Sequence, residues 1–129
     1  MCSVVFTQAL AARLGTSLAL ACRAHDERVL FSAEGGLGGG APFSLAAAPV
    51  IFTLAERPDL LAAVRQHQAD LSLLDYRAVW DAVAAGPGLE RTQQLCSEYV
   101  DTSLDTLAMF GESEAASAVR KIALSMVEE

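Results

Sequence analysis

The chain has 129 residues, room for one small domain with a real core and no second one. A net charge of −7 and a single lysine, Lys121, exclude a surface built to neutralise nucleic-acid phosphates or to sit on an anionic membrane. With 53% hydrophobic and only 6% aromatic residues and a mean hydropathy of +0.34, the composition predicts a helical protein with apolar surface to place against a partner or a larger core.

Residues 3–24 read as a helix. Phe6, Leu10, Leu14, Leu18 and Ala21 recur at helical spacing and form one apolar stripe. Ala11, Ala12, Ser17 and Ala19 make the other side small rather than charged, which predicts packing on more than one side. The first 25 residues contain no acid and carry Arg13 and Arg23, as a transit peptide does. Their unbroken run into Asp26-Glu27 favours a core helix instead.

His25, Asp26 and Glu27 are ligand types for a divalent cation. Neighbours on a helix point about 100° apart, so three in a row do not converge on one ion. A carboxylate clamp needs partners at i+3 or i+4. The position four after Asp26 and three after Glu27 is Leu30, so the charged pair reads as a helix end. The glycines at 35, 36, 38, 39 and 40 break regular structure, and "GGLGGG" has no Gly-Lys-Ser/Thr after it to bind a phosphate.

A helix resumes over 44–56 with Ser44 as its cap and Pro49 in its first turns. "RPDLLAAVRQHQ" starts another, with Pro58 and Asp59 at its N-terminus and His67 on the surface. Asp75 caps "YRAVWDAVAAG", with Val79 and Val83 on one side and Gly86 as the stop. "GPG" turns the chain. A long helix from Leu89 to near Gly111 follows, marked by Leu95, Tyr99, Leu107 and Phe110. Ser113 caps a last helix in which Val119, Ile122, Ala123, Met126 and Val127 form an amphipathic stripe. The expectation is therefore all-α, about six helices in one segment, 1–129, without strands or repeats. No apolar run reaches the length of a membrane span. Cys2, Cys22 and Cys96, odd in number and without CxxC spacing, predict mostly buried thiols in a reducing compartment.

"LGTSLALACRAHDERVLF" resembles the helix that carries the second aspartate-rich motif of the trans-isoprenyl (polyprenyl) diphosphate synthases. That motif runs approximately Gly-x-x-Leu-Gly-x-Ala-Phe-Gln-Leu-x-Asp-Asp-x-x-Asp-Phe; Gly15, Leu18, Ala21, Asp26 and Phe31 fall on matching positions. "FSLAAAPVIF" resembles the following helix. "LLDYRAVWDAVAAGPGLERTQQLCSEYVDTSLDTLAMFGESEAASAVRKI" is similar to the second subunit of heteromeric decaprenyl diphosphate synthases, with its Leu-Asp-Tyr start, Ala-Gly-x-Gly turn, Leu-Cys pair and Ser-Glu-Ala-x-Ser-Ala run.

The resemblance implies the C-terminal part of an isoprenoid-synthase-type helical bundle. It also implies a catalytic polyprenyl diphosphate synthase subunit as partner, magnesium in the assembled enzyme, ubiquinone side-chain synthesis and a mitochondrial location. Catalytic members hold magnesium between two aspartate-rich helices to stabilise the departing diphosphate. Here Asp26 matches the first position of the second motif, Glu27 replaces its second aspartate and Leu30 its last. The first motif and the downstream lysine have no counterpart. The expectation is no cofactor and no catalytic residue in this chain, and no prenyl transfer by it alone. Two other readings stay open: a full-length, weakly active synthase in which Asp26 and Glu27 bind magnesium, and an unrelated helical interaction module.

Overall fold

The computed structural model describes residues 4–32 and 42–128, with side chains from residue 6 onward. Among the described residues there are six α-helices and one 3-10 turn, and no strand, so the fold is all-α as composition and periodicity predict. Cys2 and the glycines at 35–40 lie outside the described residues. Two compact units divide the chain: one comprises the residues up to His25 and those from Gln93 onward, the other is Asp26–Thr92.

In the first unit, helix α1 (Val4–Phe31) up to His25, helix α5 (Gly88–Ala108) from Gln93, and helix α6 (Glu114–Ser125) share one core. Ala21 and Ala24, Cys96 and Val100, and Ala123 and Met126 form it, closed by Leu18, Tyr99, Leu104 and Val127. Small residues bring α1 and α5 close together. Cys96 Sγ lies 3.5 Å from the Ala21 carbonyl, and the Ser103 and Ser17 hydroxyls are 2.8 Å apart. Ser113 caps α6, its Oγ accepting from the Ala116 N–H at 3.0 Å.

The second unit is built on helices α2 (Ala48–Glu56), α3 (Pro58–Gln66) and α4 (Tyr76–Ala85). Its core is Phe31, Ala47, Val50, Leu54, Val79 and Val83. Phe31 stacks on Trp80 at 5.4 Å between ring centroids and meets Phe43 edge-on at 4.9 Å. Asp75 caps α4 by accepting from the Ala78 N–H, and Gly86 ends the helix, both as read from sequence. Gly88 is buried where α5 begins, directly over Pro49 and Thr53 of α2.

Four sequence expectations are corrected. Helix α1 does not end at Asp26-Glu27 but runs on to Phe31, because no breaker follows Glu27 and Phe31 gains a full aromatic core. Ser44 is not the cap of α2. The helix starts later, at Ala48, which puts Pro49 and its missing N–H in the first turn, where no bond is lost; Ser44 Oγ instead accepts from Ala46 N–H in the preceding turn. Ala11, Ala12 and Ala19 are exposed rather than packed, and Ser17 belongs to the core side of α1. Cys22 is exposed, while Cys96 is buried. The periodic stripes are also incomplete at their edges: Phe6 and Ile122 are about half exposed, at 48% and 58%.

Candidate functional site

The acidic pair belongs to the penultimate turn of α1. Glu27 is half-buried, and its Oε1 accepts a hydrogen bond from the Ala48 N–H at 3.2 Å. Ala48 is the first residue of α2, and Ala47 before it has no side chain able to cap. Glu27 therefore does from 21 residues away what a local Ser or Asp does elsewhere: it satisfies a first-turn N–H and sets negative charge at a helix N-terminus. Asp26 is exposed beside it. Leu30, one turn further on, presents an exposed apolar side chain.

A magnesium ion needs several oxygen ligands in near-octahedral order. Asp26 offers one carboxylate, Glu27 is engaged with backbone, and Leu30 offers no donor atom. No group of three or more His, Cys, Asp or Glu side chains that could hold a metal ion occurs among the described residues. The residues present do not fit the ion. His25 does not join them; its Nδ1 is buried and has no hydrogen-bond partner among the described residues, as is also true of Gln93 Oε1. His67, expected on the surface, is half-buried at the C-terminus of α3, where its backbone N–H bonds to the carbonyls of Ala63 and Val64.

In the second unit several charged side chains are paired with one another. Arg57 forms a two-pronged ion pair with Asp59, at 3.1 and 2.9 Å. That hydrogen bond holds the Asp59 carboxyl below the usual carboxylate value. Arg91 bonds Glu56 at 2.9 Å and lies over the Phe52 ring at 4.7 Å. A small cavity of about 180 Å³ beside them is lined by Thr53, Glu56, Arg57, Ala82 and Pro87.

The first unit has a larger feature that sequence reading does not anticipate. A groove of about 410 Å³ runs between α1 and α5, lined by Ala12, Arg13, Thr16, Leu20, Tyr99 and Thr102. Its lining is split in the sequence: Ala12 to Leu20 stand on α1, and Tyr99 and Thr102 lie about 80 residues later. Only the antiparallel pairing of α1 with α5 brings these two sets of lining residues together. Comparisons with protein-family models, curated proteins and solved structures give no match to this chain.

Proposed function

We propose that this chain is part of a non-catalytic subunit of a heteromeric trans-prenyltransferase, the type that makes the polyprenyl diphosphate tail of ubiquinone. The observation that carries this reading is the use made of the acidic pair. Where the resembling motif has three aspartates, one side chain caps α2, one is exposed and one is Leu30. Metal binding then falls to the catalytic partner, and this chain contributes helices to the assembly. By the same resemblance the complex belongs in mitochondria.

Co-expression of this chain with a catalytic polyprenyl diphosphate synthase subunit tests the proposal. The two should co-purify, and product length or specific activity should differ from that of the catalytic subunit alone. Absence of a complex together with unchanged activity overturns it, as does prenyl transfer by this chain on its own.

A further inference from the structure

We draw no further inference here: the strongest candidate, the groove between α1 and α5 lined by Arg13, Leu20 and Tyr99, is an open apolar face, and nothing in the structure shows what covers it.

Discussion

Gly88→Ala is the most discriminating single substitution, because two ordinary rules about glycine give opposite signs for it. Replacing a glycine in a helix by alanine normally stabilises by about 0.5–1 kcal/mol, through helix propensity and a less flexible unfolded chain. At Gly88 the added methyl would stand 2.6 Å from Thr53 Oγ1 and 2.7 Å from the Pro49 carbonyl oxygen. The second atom is backbone in the first turn of α2 and cannot step aside alone. The first is the hydroxyl that donates to that same carbonyl at 2.7 Å. Overpacking of this kind costs about 1–3 kcal/mol, and a disturbed buried hydrogen bond about 1 kcal/mol more. Net destabilisation of about 1–3 kcal/mol follows, read as a thermal midpoint lowered by several degrees in circular dichroism. Gly15→Ala is the control: nothing lies within 4 Å of its new methyl, so it should raise the midpoint. Removing the hydroxyl as well, in a Gly88→Ala and Thr53→Ala double variant, relieves one contact and leaves the carbonyl, so rescue should be partial. A Gly88→Ala chain as stable as Gly15→Ala would refute the close approach of α5 to α2.

The remaining expectations are simpler. Val50→Ala, at a fully buried site, should cost about 2–3 kcal/mol in urea unfolding, while Ile51→Ala, 52% exposed, should stay within about 0.5 kcal/mol of the parent. Asp75→Ala and Ser113→Ala each remove a helix cap and should cost about 1 kcal/mol. Asp59 and Asp70 both have carboxyls lowered by hydrogen bonds, to Arg57 and to Ser72 respectively. Each therefore favours the folded state above the unfolded carboxylate value, and this small contribution disappears as pH falls through the lowered folded-state value. The stability gap between the parent and an Asp59→Asn, Asp70→Asn variant should be present at neutral pH and close below about pH 4.

What could be read from the sequence was whatever a few neighbouring residues decide. Asp75, Ser113 and Gly86 act within one turn of their own positions, and the structure places all three at the helix ends where local capping rules put them. The end of α1 was not local: nothing near Glu27 says that Phe31 will stack on Trp80, 49 positions away, and that this carries the helix another turn. Nor was the start of α2, where Ser44 has the right chemistry for a cap and Glu27 has the role. Periodicity located the α6 stripe correctly but does not tell how wide a partner covers it, so Ile122 falls on the pattern and outside the core. The groove was illegible for the same reason, its α1 and α5 walls being joined only by tertiary pairing.

Side-chain length separates the two meanings of position 27. A metal clamp asks for a carboxylate, and aspartate serves it as well as glutamate. A cap on a helix 21 residues away asks for reach, and Oε1 meets the Ala48 N–H at 3.2 Å only with the second methylene present. Glu27→Asp keeps the charge and shortens the arm by about 1.5 Å, so the bond to Ala48 is lost. Glu27→Gln keeps the arm and an acceptor oxygen and loses the charge. If the residue caps α2, Asp should destabilise nearly as much as Ala, by about 1 kcal/mol, and Gln by less. Millimolar magnesium should shift the thermal midpoint of none of them. If it serves a metal, the order reverses: Asp is tolerated, Gln is not, and magnesium stabilises the parent. A glutamate at position 27 is thus what the capping geometry demands, and its second methylene is what lets α1 hold α2.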